Sequence, residues 1–275
     1  MGKSKKPRKI LANLSFWLRG YIVVPNFLTS DECFSVRKYA ESIYWPVGES
    51  NKPHGSYCSL VDLDKFDFQK CLFDRQINAS RAVLMSATKE KYVDVGLRTL
   101  QLRMHSPIWH IDMQTFNNDF PLLARDKRFK VYKCGVYLQD ELASGGGTIE
   151  IKQPFLGGGI KNFSYLANIR KNPSRILQIC IKLLGLVSDS VQIRRKRLEL
   201  KAGDLIIFNG SLKHRASQDI EKNCVLQDGK TGYFVDRSDE IGKIMLQWEF
   251  VKDHKISQQY IIHAQLKHGN SRDEN

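Results

Sequence analysis

The sequence has no C-x-x-C pair, no long apolar run and no internal repeat or low-complexity tract. Six cysteines are scattered through its 275 residues, and this spacing indicates reduced thiols rather than a disulfide framework or a structural zinc site. No apolar run approaches the roughly 20 residues that a membrane-spanning helix needs. What remains is a globular chain long enough to bury one sizeable core or to form two small domains.

The amino-terminal region carries no recognisable targeting signal. Residues 1–10 are basic, but the apolar stretch that follows them soon meets Arg19, which argues against a signal peptide. Lys6 stands where a myristoylation signal needs Ser or Thr. We therefore expect a disordered basic tail over residues 1–10 and a cytoplasmic location, with peripheral contact at a membrane surface left open.

The formal net charge of +14 is the most unusual bulk property. It predicts an anionic partner or substrate, such as an anionic small molecule, an acyl-CoA, a lipid or a sugar. The excess is concentrated in segment 161–201, where ten Lys and Arg residues face only Asp189 and Glu199. This segment is either a solvated basic face or a specific anion site.

One short strand and two helices are predicted before residue 97, and mainly short strands after it. Thr29 or Ser30 can cap a first helix, whose apolar positions 33, 36, 39 and 43 share one face. A second helix is predicted at about 75–90. The strands are β-branched or aromatic and bounded by Gly, Asp or Asn: they cover 21–24, 98–105, 130–140, 147–153, 198–208 and 242–251. This pattern predicts a mainly β protein with flanking helices and a double-stranded β-helix core, a cupin-like jelly roll.

The strands predict a single jelly-roll domain over residues 11–255, with a C-terminal tail over 256–275. A basic helical insertion is predicted at about 160–197, because the apolar residues of 176–187 recur three and four positions apart. We interpret this insertion as a lid on the barrel. A basic amphipathic helix beside Arg194–Arg197 that docks on anionic lipid is the alternative.

The main candidate site begins at His110-Ile111-Asp112. In a chain with 7 His and 29 acidic residues, about one His-x-acid triplet is expected by chance, so the triplet alone is a weak motif. Its two polar side chains would point to the same side of an extended segment. His214 offers a distant third ligand, after a Gly-Asp turn and an apolar strand at 205–208. Two His and one carboxylate with open positions are typical of non-haem Fe(II) oxygenases.

Five short blocks surround these residues in a set order. They are Gly20–Cys33, Gln101-x-Arg103 leading into Trp109-His110-x-Asp112, Val136–Asp140 with Gly146-Gly147-Thr148, Gly203–His214, and 242-GKIMLQWEF-250. In this order they resemble the phytanoyl-CoA dioxygenase-like (PhyH) branch of the Fe(II)/2-oxoglutarate-dependent oxygenases. The resemblance covers most of residues 20–250.

The resemblance implies an oxygenase whose catalytic and metal-binding residues are His110, Asp112 and His214. It implies Fe(II) chelated by 2-oxoglutarate, O2 as co-substrate and ascorbate as the reductant. The products would be succinate, CO2 and a hydroxylated, previously unactivated C–H bond. Asp112 favours hydroxylation or desaturation over halogenation, since related halogenases have a small residue at that position. We expect Trp109 to be pocket wall or core.

The far carboxylate of 2-oxoglutarate needs a cation, for which a bidentate Arg or a Lys point charge is suited. The family has an Arg on the final strand, and Lys243 stands at the matching position. Arg103 is the alternative anchor, and Lys133 is a further candidate. Gln101 and Ser217 complete the predicted cofactor-binding set; Ser217 follows Ala216, where the family often has Ser.

Two other functions stay open. One is a nucleic-acid demethylase on the same barrel, but the pair of C-terminal arginines typical of that group is absent and the sequence indicates no aromatic–basic stacking platform. Nucleic acid is therefore not the expected partner. The other is a catalytically silent barrel that binds an anion, which the departure at Lys243 keeps open.

Overall fold

The computed structural model describes most of the region in which the sequence predicts strands. The described residues are 16, 19–44, 56–59, 67–102, 104–105, 109–124, 126, 128–140, 147–153, 194–216, 224–226, 234–236 and 243–270.

Twelve strands and five helices lie within these residues. The strands are β1 (Tyr21–Val24), β2 (Ser56–Ser59), β3 (Tyr92–Leu102), β4 (Met104–His105), β5 (Val131–Tyr137), β6 (Thr148–Gln153), β7 (Arg194–Glu199), β8 (Leu205–Asn209), β9 (His214–Ala216), β10 (Cys224–Leu226), β11 (Phe234–Asp236) and β12 (Ile244–Lys252). The helices are α1 (Ser30–Tyr44), α2 (Asp67–Thr88), α3 (Gln114–Asp119), α4 (Pro121–Ala124) and α5 (Ser257–Asn270). None of these helices is long and apolar enough to span a bilayer.

The main sheet has six strands in the order β1-β8-β5-β12-β3-β2, and neighbouring strands in it pair antiparallel. Side chains alternate between its two faces. One face packs on α1 and α2 in a single apolar cluster, to which β5 contributes Tyr132, Cys134 and Val136. The other face carries Tyr137 and Met245 toward a second sheet. The main sheet is therefore covered on both sides.

The second sheet, here called the minor sheet, has three strands in the order β7-β6-β9. Its Ile149, Ile151 and Leu198 pack in one buried cluster with Phe208 and Met245 of the main sheet. Two antiparallel sheets thus enclose a common interior. This confirms the predicted mainly β fold with flanking helices and a jelly-roll core.

The first helix begins where the sequence predicts. The Thr29 side-chain oxygen accepts from the backbone N–H of Glu32 at 3.2 Å, and the Glu32 carboxylate accepts from the N–H of Thr29 at 2.8 Å. This reciprocal pair is a capping box, which provides acceptors for backbone N–H groups that have no partner within the helix. Cys33, Val36 and Tyr39 are buried, as the predicted apolar face requires.

Residues 194–197 are an edge strand, which corrects the predicted end of the helical insertion. Strand β7 pairs with β6 along its whole length, from Gln153 opposite Arg194 to Thr148 opposite Glu199. The run of four basic residues obscured an alternating pattern in which Leu198 is buried and its neighbours are exposed. The rest of the predicted insertion, including 176–187, lies outside the described residues.

The domain boundaries stay a prediction, but the region assigned to a C-terminal tail contains α5. Tyr260 and Ala264 of this helix are buried, together with Phe116 of α3 and Val251 of β12. The same helix exposes Ile262 and Leu266, so its apolar residues do not mark a single face in the sequence. Helix α5 therefore packs on the sheet and on α3 rather than forming a free tail.

The predicted strand at 198–208 is two strands separated by a turn. Gly203 has a φ of +84°, and a Cβ there would lie 2.3 Å from the Leu28 carbonyl oxygen. The Asp204 carboxylate accepts from the backbone N–H groups of Asn26 and Lys201, at 2.9 and 3.0 Å. The turn sends the chain into β8 of the main sheet, from which it crosses to β9 and His214 of the minor sheet.

Candidate metal centre

His110 and His214 lie opposite each other in an isolated antiparallel bridge. Each backbone N–H donates to the carbonyl oxygen of the other residue at 3.0 Å. Directly opposed residues in an antiparallel pair project their side chains to the same side, and here the ring centroids are 4.4 Å apart. The bridge thus adds the His110 segment next to β9 and presents two imidazoles together.

Asp112 completes the group from the turn after His110. Its Oδ1 lies 3.5 Å from Nε2 of His110 and 3.5 Å from Nε2 of His214. One ligand atom from each of the three residues lies within 4.8 Å of the others. This donor set can hold a metal ion, with the imidazoles on one sheet and the carboxylate on the adjoining turn.

The protonation of His214 suits metal binding. Its Nδ1 lies 3.0 Å from the Leu212 carbonyl oxygen, which can accept the ring proton and leave the Nε2 lone pair directed at Asp112. Burial lowers the pKa of His214, although the nearby Asp112 opposes that effect. The ring of Phe208, at 4.8 Å between centroids, packs against the imidazole and fixes its orientation.

Asp112 is held as a carboxylate. Burial alone would raise its pKa, but His214, Lys133 and His110 together place the pKa of Asp112 well below its ordinary value. Its side chain is 23 % exposed and that of His110 is 30 % exposed, whereas that of His214 is 9 % exposed. The centre is therefore reached from the His110–Asp112 side.

Lys133 lies next to this centre in a buried ion pair. Its Nζ donates to the Glu249 carboxylate, and the Tyr260 hydroxyl donates to the second oxygen of the same carboxylate. Burial lowers the pKa of Lys133, but Glu249 and Asp112 outweigh burial and raise it above its ordinary value. Lys133 is therefore a fixed positive charge that β5, β12 and α5 hold in place together.

Lys243 lies in the barrel interior just before β12. It is 5 % exposed, and its Nζ is 3.3 Å from the Gln101 side-chain oxygen, which also accepts from Gln247 at 3.1 Å. Burial lowers the pKa of Lys243 to about 8, and Asp112 partly offsets that effect. Its ammonium lies 5.5 Å from the centroid of the Tyr137 ring. A cation with two amide neighbours and an aromatic wall can receive a carboxylate.

The predicted site residues are distributed as follows. His110, Asp112 and His214 converge, Lys133 lies beside them, and Lys243 and Gln101 form a second polar group in the interior. Arg103 and Ser217 lie outside the described residues.

Trp109 was expected to be pocket wall or core, but it lies over Lys152 and Arg215. Both of those residues alternate with inward-facing Ile151 and His214. Trp109 therefore faces away from the barrel interior.

Three functional neighbours were missed by sequence reasoning: Gln247, Glu249 and Tyr260. Gln247 and Glu249 share the inward parity of Met245 on β12, and that alternation was the available signal. The sequence offers no comparable signal that Tyr260 reaches Glu249, because α5 was not predicted.

No protein-family model and no curated protein matches this sequence. Among solved structures, the non-heme α-ketoglutarate-dependent epimerase SnoN from nogalamycin biosynthesis is similar with a TM-score of 0.51 and 11 % identity, over 90 % of this chain and 84 % of SnoN. AviO1 from Streptomyces viridochromogenes Tue57 gives a TM-score of 0.49 at 13 % identity, over 91 % and 97 % of the two chains. HygX from Streptomyces hygroscopicus, solved with nickel and 2-oxoglutarate, gives 0.49 at 14 % identity, over 91 % and 88 %.

At this low identity, similarity to SnoN establishes a shared fold. The chain shares the fold of SnoN. Two of its candidate metal ligands, His110 and His214, meet at the minor sheet, and the third, Asp112, lies on the adjoining turn.

Proposed function

We propose that this chain is an Fe(II)/2-oxoglutarate-dependent oxygenase of the PhyH-like branch, which hydroxylates an unactivated C–H bond of an anionic substrate. The observation that carries the proposal is the convergence of His110, Asp112 and His214, with Asp112 Oδ1 3.5 Å from each imidazole Nε2.

The donor set fits ferrous iron. Two neutral imidazoles and one carboxylate form the facial triad of non-haem Fe(II) oxygenases and leave positions for other ligands. The Leu212 carbonyl oxygen fixes the tautomer of His214, which is the kind of outer contact that tunes a metal ligand. Iron bound there would supply the oxidative chemistry, which couples decarboxylation of 2-oxoglutarate to succinate and CO2 with insertion of one oxygen atom from O2 into the substrate.

Lys243 fits the role of anchor for the far carboxylate of 2-oxoglutarate. It is buried inside the barrel, and Gln101 and Gln247 add amide groups beside it. Lys133 is less suited to that role because Glu249 already accepts from its ammonium group. In this reading Lys133 and its partners instead hold positive charge near Asp112 and keep that carboxylate ionised.

The net charge of +14 supports an anionic substrate such as an acyl-CoA, an acidic lipid or sugar, or an anionic small molecule. Asp112 supports hydroxylation over halogenation, because it occupies the ligand position that a halide would need. The resemblance of the ordered sequence blocks supports the PhyH-like branch in particular.

The decisive experiment measures succinate formed from 2-oxoglutarate with Fe(II), O2 and ascorbate. We expect uncoupled succinate production by the wild type, and its loss in His110→Ala and in His214→Ala. His254→Ala is the matched control, because His254 lies after β12, outside the triad, and this variant should retain activity. If the wild type produces no more succinate than His110→Ala, the catalytically silent, anion-binding barrel is the better description.

A further inference from the structure

The outer face of the minor sheet presents a cluster of cations around one indole. Strand alternation places Ile151 and His214 toward the barrel interior, so that Lys152 and Arg215 point outward. We call Trp109, Lys152, Arg195, Arg197 and Lys213 the outer basic face; Arg215 contacts the same indole but is only 6 % exposed and pairs with Glu150. It lies one sheet thickness from the metal centre and is separate from the catalytic interior.

Three neighbouring strands direct their cations at the same ring. The Lys152 ammonium and the Arg215 guanidinium each lie 4.5 Å from the centroid of the Trp109 ring, and that of Arg195 lies 5.9 Å away. Cation–π attraction holds such groups in position. Because Lys152 and Arg195 are directly paired across β6 and β7, the cations form a compact array rather than a line.

Acidic residues balance only part of this charge. Glu150 pairs with Arg215 at 2.7 Å, and Glu199 lies 3.7 Å from Arg197. Within the described part of the chain, no carboxylate forms an ion pair with Lys152, Arg195 or Lys213. The pKa of Lys152 is lowered by burial and by its neighbours Lys213, Arg195 and Arg215. An anion brought to this face would therefore relieve repulsion between like charges.

The sequence between β6 and β7 does not supply the missing negative charge. Residues 154–193 contain five Lys and Arg residues and one Asp. This segment leaves the sheet after Gln153 and returns at Arg194, beside the Lys152–Arg195 pair. Its composition adds charge of the same sign.

We propose that the outer basic face docks on an anionic phospholipid surface. The array is compact and spread over neighbouring strands of one sheet face, which suits several headgroup phosphates better than a single nucleic-acid strand. The cations over Trp109 also engage the π surface that a stacked base would need. Lys and Arg side chains keep their charged ends in the headgroup layer while their alkyl parts and a Trp ring lie at its boundary.

Vesicle co-sedimentation of the full chain tests this proposal. We expect binding to phosphatidylcholine vesicles that contain about one-third phosphatidylserine, and none to phosphatidylcholine alone; roughly 1 M salt should abolish binding because the Debye length falls to about 3 Å. The triple variant Lys152→Gln, Arg195→Gln, Lys213→Gln should bind roughly 100-fold more weakly, since each surface cation contributes several-fold to such affinity. The matched control, Lys89→Gln, Lys91→Gln, Lys255→Gln, removes the same charge from exposed positions on other segments and should bind nearly as well as wild type.

Three outcomes would overturn the proposal. Equal losses in the triple variant and its matched control would show that net charge, rather than this face, drives binding. Binding to neither type of vesicle would exclude a lipid surface. Binding of a single-stranded oligonucleotide, lost in the triple variant and without vesicle binding, would assign the face to nucleic acid instead. Circular dichroism of each variant shows whether a loss of binding comes from misfolding.

Discussion

His110 and His214 are bound to each other through their backbones, with each N–H donating to the other's carbonyl oxygen at 3.0 Å. The two imidazoles are therefore positioned by main-chain geometry and not only by their rotamers. Asp112, two residues later, is carried by the same segment. A metal ion at this site would join β9 to the His110–Asp112 segment through side chains as well as backbone.

Metal binding should therefore raise thermal stability. A ligand that binds only the folded chain at 100 times its Kd adds about 2.7 kcal/mol, which for a chain of this size corresponds to a rise in Tm of several degrees. We expect this rise with Ni(II) or with anaerobic Fe(II), and its reversal by a chelator. Differential scanning calorimetry measures it.

Asp112→Ala should remove that metal-dependent rise. We expect its metal affinity to fall by more than the roughly 10–100-fold typical of losing an outer contact, because Asp112 is a direct ligand in our assignment. His254→Ala should keep the full rise. An undiminished rise in Asp112→Ala would place the metal elsewhere.

The affinity for 2-oxoglutarate should fall as the pH rises through about 8. Burial lowers the pKa of Lys243 to about 8, so its amine is charged below that pH and neutral above it, where it no longer attracts a carboxylate. Because kcat/KM reports the free enzyme, kcat/KM for 2-oxoglutarate should decline on the alkaline side. Succinate assays across this pH range measure it.

Two substitutions at Lys243 separate its charge from other effects of pH. Lys243→Arg should remove the alkaline decline, since a guanidinium stays protonated throughout this range. Lys243→Ala should weaken 2-oxoglutarate binding below a pH of about 8, where the wild-type amine is charged, and should approach the wild-type affinity above it. Parallel pH profiles for the wild type and Lys243→Arg would mean that another group causes the decline.

Removing one partner of the buried Lys133–Glu249 ion pair should lower the free energy of unfolding. Lys133→Met leaves a carboxylate with 12 % side-chain exposure without its cation, and we expect a loss of about 3–5 kcal/mol in the free energy of unfolding. Tyr260→Phe removes one hydrogen bond to the same carboxylate and should cost about 1.5–3 kcal/mol. Urea unfolding measures both.

The double variant Lys133→Met, Glu249→Leu supplies the control for this ion pair. Removing both charges leaves no unpaired buried carboxylate, so most of the loss should be recovered. If the double variant is as unstable as Lys133→Met alone, the loss comes from packing rather than from charge.

Gly203→Ala should destabilise the chain much more than Gly96→Ala. Both glycines have a left-handed φ, +84° and +81°, so both substitutions carry a similar backbone cost of about 1–2 kcal/mol. At Gly96 the nearest atom to an added Cβ is Gln265 Nε2 at 3.5 Å, whereas at Gly203 the Leu28 carbonyl oxygen lies at 2.3 Å. Chemical denaturation should show at least twice the loss at Gly203, and equal losses would contradict this steric account.

Most elements of the core could be predicted from the sequence, because local residue patterns specify them. Short β-branched or aromatic runs bounded by Gly, Asp or Asn marked β5, β6, β8 and β12, and the capping position at Thr29 marked the start of α1. Strand β7 was missed because four consecutive basic residues hide its alternation. Helix α5 was missed because the exposed Ile262 and Leu266 obscure the face that Tyr260 and Ala264 bury.

The residues of the candidate site could be predicted from the sequence only in part, for a different reason. His110 and His214 could be proposed as a pair because the short sequence motifs around them resemble a known family. Their backbone bridge, however, depends on the register of the sheet, which no local sequence pattern specifies. The same applies to Glu249, which meets Lys133 only because β5 and β12 pair at that position. Buried polar partners that come from separate elements are therefore the part that sequence reasoning leaves out.

Neighbouring residues on β9 point to opposite sides of the minor sheet: His214 toward Asp112 and Arg215 toward Trp109. A shift of one residue in the pairing of β9 would exchange them, moving a guanidinium into the barrel interior and an imidazole to the opposite face. The register of β9 against β6 and His110 is therefore as much a part of the candidate metal centre as the ligands themselves.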